Sequence, residues 1–205
     1  MLVLSLCQTF CSDKIPYVTQ KLGDGADGEV FEFPNQDGQV LKLSVLYEYN
    51  ADVLLTVSEH YQQNIAPILD LLVANPVEGF ARVYSHQYLG AYDRPSGRSA
   101  EKFVLYSYVM EKLIHLDGDE SRVFSSILSH EDRGTIKNYS LAKIKEILQG
   151  LSRGLDFDEE KVILFCENLH QAPVRHLDIH TRNIMKDASG NFKLIDFDRC
   201  VLGTV

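Results

Sequence analysis

The sequence predicts an α+β chain, rich in strands in its first half and helical in its second. Three observations predict it. Short runs rich in apolar and β-branched residues recur at 17–22, 30–33, 39–43 and 103–109, separated by turn residues. From residue 121 the apolar spacing becomes helical, over 121–129, 140–151 and 157–169. A strand-like run returns at 192–195. The 205 residues, 45% of them apolar, suit one domain or two small lobes, and the change of pattern divides the chain at 1–112 and 113–205.

The opening residues, MLVLSLCQTFC, are apolar, with no Lys or Arg before Lys14 and no small-residue cleavage site. A first strand is therefore expected there, not a secretory signal. The strand at 17–22 runs into Gly23, Gly25 and Gly28, with Val30 heading the return strand. Glycines let backbone N–H groups approach phosphate oxygens closely. Alternation over 29–33 favours a hairpin over the helix that a dinucleotide site needs after its last glycine. A turn at 34–38 leads to the strand 39–43, where Lys42 stands among apolar neighbours. Its place fourteen residues after Gly28 suits a phosphate-pairing lysine better than an edge-strand charge.

Apolar positions 53, 54, 57 and 61 predict a helix over 47–63. Its charged face offers Glu59, with Glu48 close behind, as the partner of Lys42. Residues 65–73 read as a strand. The connection 75–101 is long, holds a strand at 81–88 and a turn-rich stretch at 93–98, and is expected to be a functional loop. At the junction Met110-Glu111-Lys112-Leu113, backbone groups of Glu111 and Leu113 are expected to meet an adenine edge. Asp156 is expected to cap the helix 157–169, with Glu159 in the capping-box position.

The stretch from His176 to Asp198 carries the chemistry. Asp178 and Asn183 lie five residues apart in H-x-D-x-x-x-x-N, and Asp196 follows thirteen residues after Asn183, beyond a turn at 188–191. Phosphoryl transfer needs such a set: one carboxylate to take or orient the proton of the attacking hydroxyl, and an amide and a second carboxylate to hold Mg²⁺ on the nucleotide phosphates. Asp156-Phe157-Asp158 repeats the tripeptide Asp196-Phe197-Asp198 without the upstream H-x-D, so the arrangement is the signal and the tripeptide is not.

Cys7, Cys11, Cys166 and Cys200 lack C-x-x-C spacing, which argues against zinc and for free thiols. Cys200 is expected to be buried and inert, in preference to a reactive thiol near the site. A net charge of −9 without a basic block speaks against nucleic acid or an anionic membrane as partner, and no apolar run approaches eighteen residues.

Taken in order, Gly23 to Val30, Lys42, His176 to Asn183 and Asp196 to Asp198 resemble the protein-kinase-like superfamily over roughly residues 17–198. The resemblance implies a minimal two-lobed fold: an antiparallel sheet and one helix, above a truncated helical lobe, with ATP between. His176-Leu177-Asp178 departs from the usual H-R-D, and only seven residues follow Asp198. The phosphate-reading Arg and the activation segment are thus both missing, and regulation through that segment is not expected. Size and altered motifs make the chain similar to minimal effector kinases secreted by bacteria, of HopBF-like type, with OspG-like as second choice. That similarity implies Ser/Thr transfer to a host protein in the host cytosol, with a heat-shock chaperone as the candidate and 75–101 as a docking loop; outside it, a cytoplasmic enzyme is expected. His180 in D-x-H-x-x-N and the carboxylate of Asp198 also resemble sugar and aminoglycoside kinases, which keeps a small-molecule acceptor open. His180 is expected either to touch the moving phosphate or to hold its loop. A nucleotide-binding pseudokinase is the third alternative.

Overall fold

The structure is a computed structural model that describes residues 3–25, 28–33, 36–47, 56–96, 99–129, 140–152 and 154–203, with backbone only at 95, 96, 99 and 100. The fold is α+β. It forms two compact units, Met1–Ala74 with Arg82–Lys112, and Asn75–Ala81 with Leu113–Val205. The short segment Asn75–Ala81 thus belongs with the second unit although it lies within the sequence of the first.

The first unit holds helix α1 (Val3–Phe10), strands β1 (Lys21–Asp24), β2 (Gly28–Glu32) and β3 (Gln39–Tyr47), helices α2 (Val57–His60) and α3 (Ala66–Ala74), and strands β4 (Val83–Ser96) and β5 (Ser99–Glu111). The five strands make one antiparallel sheet in the order β1-β2-β3-β5-β4. Alternation along the strands sends Phe31, Leu41, Leu43, Val45, Phe103 and Leu105 to one face, where they bury Val3, Leu6 and Cys7 of α1. Just after α2, Tyr61 packs in tilted geometry against Tyr106, ring centroids 5.0 Å apart, and against Tyr88 at 5.2 Å.

Several expectations are corrected here. The opening residues form α1, not a strand. An unbroken apolar run hides its period, and the buried positions 3, 6 and 7 have the spacing of one helix face. Residues 65–73 are helical for the same reason, with Ile65, Ile68, Leu69 and Leu72 buried. A π-helical turn, Tyr61–Ile65, joins α2 to α3, and the Ala66 N–H bonds to the Tyr61 carbonyl just before Pro67, which has no N–H to give. The helix expected over 47–63 is seen from its Thr56 cap onward; residues 48–55, Glu48 among them, lie outside the described residues. The supposed loop 75–101 is mostly the long hairpin β4–β5, so it offers sheet and not the irregular docking loop expected.

The second unit contains β6 (Ile114–His115), α4 (Gly118–Ser129), α5 (Leu141–Leu151), α6 (Glu159–Gln171), and the short strands β7 (Val174–His176), β8 (Ile184–Lys186), β9 (Phe192–Leu194) and β10 (Cys200–Leu202). The strands pair as β6-β8-β9 and β10-β7. Phe124 packs edge-on against Phe165 and Phe192, at 5.5 and 4.9 Å, joining α4, α6 and β9 in one core. Asp158, not Asp156, caps α6, its carboxylate accepting from the Lys161 N–H; the Asp156 N–H is bound to Asp119 of α4.

Glu120 of α4 is buried and takes the Lys186 ammonium of β8 at 2.7 Å while accepting from the Asp117 N–H at 3.0 Å. Removing Glu120 leaves the Lys186 ammonium, which is largely withdrawn from solvent, with only the exposed carboxylate of Asp117 at 3.5 Å. Glu120→Ala is therefore expected to destabilise the protein by about 3 kcal/mol in urea unfolding, far more than a surface ion pair would cost.

Candidate active site

In the second unit, Asp178, Asn183 and the chain entering Asp196 are tied together around one buried imidazole. Strand β7 ends at His176, which lies opposite Cys200 of β10, and the Leu177 N–H donates to the Arg199 carbonyl at 2.9 Å. His176 Nε2 lies 2.9 Å from the Ile195 carbonyl, and the Asp178 N–H donates to His176 Nδ1 at 3.1 Å. With Nδ1 accepting, Nε2 carries the proton and donates, so the ring is neutral in a single tautomer. Burial holds its pKa below the ordinary imidazole value.

Asn183 closes the same loop. Its Nδ2 donates to the Asp178 carbonyl at 3.0 Å, its N–H to the His180 carbonyl at 2.8 Å, and its carbonyl accepts from the Ile195 N–H at 2.9 Å. Asp178, Asn183 and the residue before Asp196 are thereby held in one network. Asp196 itself has φ 68° and ψ 78°, the one non-glycine residue with positive φ among those described. An L-residue is strained there, and Phe197, fully buried, anchors the turn that holds it. Asp198 stands in the same short 3₁₀ turn, Phe197–Arg199, half-buried.

The carboxylate of Asp178 has two basic neighbours, Arg199 Nη1 at 3.6 Å and His180 Nε2 at 4.0 Å. Nδ1 of His180 is buried and without a hydrogen-bond partner among the described residues. Arg199 was not marked by any motif. Only the antiparallel pairing of β10 with β7 carries it beside Asp178, and nothing in local sequence reveals that pairing. Cys200 is buried, as expected.

In the first unit, Lys42 lies opposite Val30 on β2 and Tyr108 on β5. It is buried, with Nζ 5.5 Å from the Tyr108 ring centroid. The Gly25 N–H donates to the Gly28 carbonyl at 2.9 Å and closes the hairpin; Gly23 pairs with Val30. A Cβ on Gly28 would stand 2.7 Å from Lys42 Cε and 3.1 Å from the Leu43 carbonyl oxygen, so the missing side chain leaves room for the lysine. The Glu111 N–H donates to the Arg82 carbonyl at 3.0 Å, and its carboxylate accepts from the Arg82 N–H at 2.7 Å. Leu113, the other expected adenine contact, opens the second unit and is half-buried. Glu59, the expected partner of Lys42, is engaged elsewhere: its carboxylate accepts from the N–H and Oγ1 of Thr56, both at 2.8 Å, completing the capping box of α2. Those bonds hold its pKa below the usual carboxylate value.

Among the described residues no three of His, Cys, Asp and Glu gather into a metal cage. The donors present suit a hard ion that takes few protein ligands and keeps phosphate oxygens and water, as Mg²⁺ does. The Asn183 NH₂ donates to the Asp178 carbonyl, so its side-chain oxygen, together with the Asp196 carboxylate, would be the protein's ligands to such an ion. No described helix is long and apolar enough to cross a membrane.

No family model matches the chain, and no curated protein matches it in sequence. Among solved structures, a 2.2 Å crystal structure of WbdD is similar over 92% of this chain and 34% of its own, at 17% identity and a TM-score of 0.39. The ROP18 kinase domain in complex with AMP-PNP and sucrose is similar over 90% of this chain and 52% of its own, at 13% identity and a TM-score of 0.40. This chain spans about a third and about half of those two. Likeness at this level carries no functional conclusion.

Two stability measurements test the site's construction. As pH falls below 6.5, the ordinary imidazole value, the unfolded chain takes up a proton that buried His176 refuses. Its contribution is thus complete above that pH and lost below it, and His176→Gln is expected to flatten this part of the stability curve. At Asp196, glycine relieves a positive φ, so Asp196→Gly is expected to stay within about 1 kcal/mol of wild type, whereas β-branched Asp196→Val loses about 2 kcal/mol in urea unfolding.

Proposed function

We propose that the chain is an ATP-dependent phosphotransferase that uses Mg²⁺ and acts on Ser or Thr hydroxyls of a protein. The observation that supports this best is the hydrogen-bonded set of Asp178, Asn183 and the chain entering Asp196, tied together through neutral His176. A turn built only to reverse the chain needs neither a buried histidine of fixed tautomer nor a strained aspartate.

In this reading the acceptor oxygen bonds to the γ-phosphorus of ATP, the bond from that phosphorus to the β–γ bridging oxygen breaks, and ADP leaves. Asp178 orients the acceptor hydroxyl and receives its proton. Arg199 and His180 lie beside the same carboxylate. Asn183 and Asp196 hold the ion, whose contribution when bound is to neutralise phosphate charge. Lys42, with Gly23, Gly25 and Gly28, binds phosphate oxygens, and Val30 covers the nucleotide from β2. Because the Glu111 amide is spent on Arg82, a contact of this residue with adenine falls to its carbonyl.

A macromolecular acceptor is supported by apolar side chains exposed next to the catalytic loop, Leu177, Val201 and Leu202. The motif resemblance favours a secreted effector that acts on a host protein, a chaperone being the candidate. His180, whose buried Nδ1 has no partner among the described residues, favours the second reading, transfer to a sugar or aminoglycoside hydroxyl.

Incubation with γ-labelled ATP, Mg²⁺ and a eukaryotic cell extract separates these readings. Acid-stable label on Ser or Thr of a protein is expected, reduced at least about a hundredfold by Asp178→Ala with ATP binding retained. Asp196→Ala is expected to abolish transfer. Label in a soluble compound alone would replace the protein acceptor with a small molecule, and nucleotide binding without any transfer would leave a pseudokinase.

A further inference from the structure

Glu29, within the glycine motif, is a buried carboxylate that the proposed chemistry does not use. It is only 2% exposed. Its Oε2 accepts from the backbone N–H of Leu4, in the first turn of α1, at 2.7 Å, and its Oε1 takes the Lys21 ammonium at 3.1 Å. The same ammonium holds Asp24 at 2.7 Å, and Asp24 lies directly opposite Glu29 across the hairpin. The neck of the glycine hairpin is therefore clamped by two carboxylates on one lysine, and one of the two also reaches α1.

We propose that Glu29 is a positioning residue that couples helix α1 to the glycine hairpin, so that the nucleotide is bound tightly only while α1 is docked. The inference rests on the nucleotide-binding reading of Gly23, Gly25, Gly28 and Lys42. Its physical basis is the alternation of β2. Glu29 and Phe31 point to the face that α1 covers, while Gly28 and Val30, opposite Ser44 and Lys42, belong to the other. One stretch of backbone thus carries the anchor on one side and the phosphate-binding groups on the other. A carboxylate buried this deeply needs its donors. If α1 departed, Glu29 would lose the Leu4 N–H, and the apolar patch formed by Phe31, Leu41 and Leu43 would lose Val3, Leu6 and Cys7. The hairpin and the helix are therefore seated together or not at all.

The test uses the full chain with three substitutions. Glu29→Ala removes the anchor. Glu29→Gln keeps an oxygen for the Leu4 N–H. Leu4→Pro removes that N–H at a position in the first helical turn where proline is tolerated. Mg²⁺-ATP affinity by calorimetry, transfer rate at saturating ATP, and amide hydrogen exchange of residues 3–10 and 21–32 without nucleotide are the readouts. Glu29→Ala and Leu4→Pro are each expected to weaken Mg²⁺-ATP binding about tenfold, or 1.4 kcal/mol, with less than a twofold change in the saturated rate. Both are expected to speed exchange in the two segments together, while Glu29→Gln stays within about threefold of wild type in affinity. Faster exchange of 3–10 alone in Leu4→Pro, with 21–32 unchanged, would overturn the coupling. So would a loss of affinity in Glu29→Ala that Leu4→Pro does not share. If Glu29→Ala fails to fold, the other two variants decide the matter. Wild-type protein that binds no Mg²⁺-ATP would sink the nucleotide reading and the affinity claim with it, whereas the exchange data would still judge the coupling by itself.

Discussion

The second unit depends on the two hydrogen bonds of His176, one accepted from the Asp178 N–H and one donated to the Ile195 carbonyl. They join a loop and a strand end nineteen residues apart in sequence, and a neutral ring can make both only in one tautomer. Asn183 adds its bonds to the same two segments. Each bond alone contributes modestly, but the groups are buried, and breaking one leaves a polar atom with neither partner nor water. Rigidity at Asp178 and Asp196 follows from that cost, as does the persistence of a positive φ at Asp196.

The first unit solves a different problem with a simpler device. A strand has two faces, and β2 and β3 use one for the core and one for polar function. Leu41 and Leu43 are buried against α1, while Lys42 between them is directed to the face of Val30 and Tyr108. Gly28 belongs to this scheme because a side chain there would collide with the lysine. A charge can therefore sit in a strand of large aliphatic residues without disturbing their packing. The tether of Glu29 to α1 exploits the same alternation in the opposite sense.

Much of this was legible in the residues themselves. The hairpin with its glycines, the lysine strand, the helices expected at 121–129, 140–151 and 157–169 and the turn between β8 and β9 all follow from local patterns, because alternation, helical spacing and turn chemistry act over a few residues. Where apolar residues ran on without a break, as in α1 and at 65–73, periodicity did not distinguish helix from strand, and packing on the sheet decided. Glu59 shows a second limit. Its spacing fitted a partner for Lys42 and also a capping box with Thr56, and its carboxylate went to the nearer donors.

By itself, then, the sequence determined which chemical groups are present, their order, and the local elements that carry Asp178, Asn183, Asp196 and Lys42. Only the tertiary structure decided what surrounds them: Arg199 beside Asp178 through the pairing of β10 with β7, the tautomer of His176, and the attachment of α1 to Glu29. The reason is physical. Motif spacing reports contacts made within a turn or a strand, whereas these three arise where segments distant along the chain are pressed together, and the chain can satisfy their buried polar groups only with what it meets there.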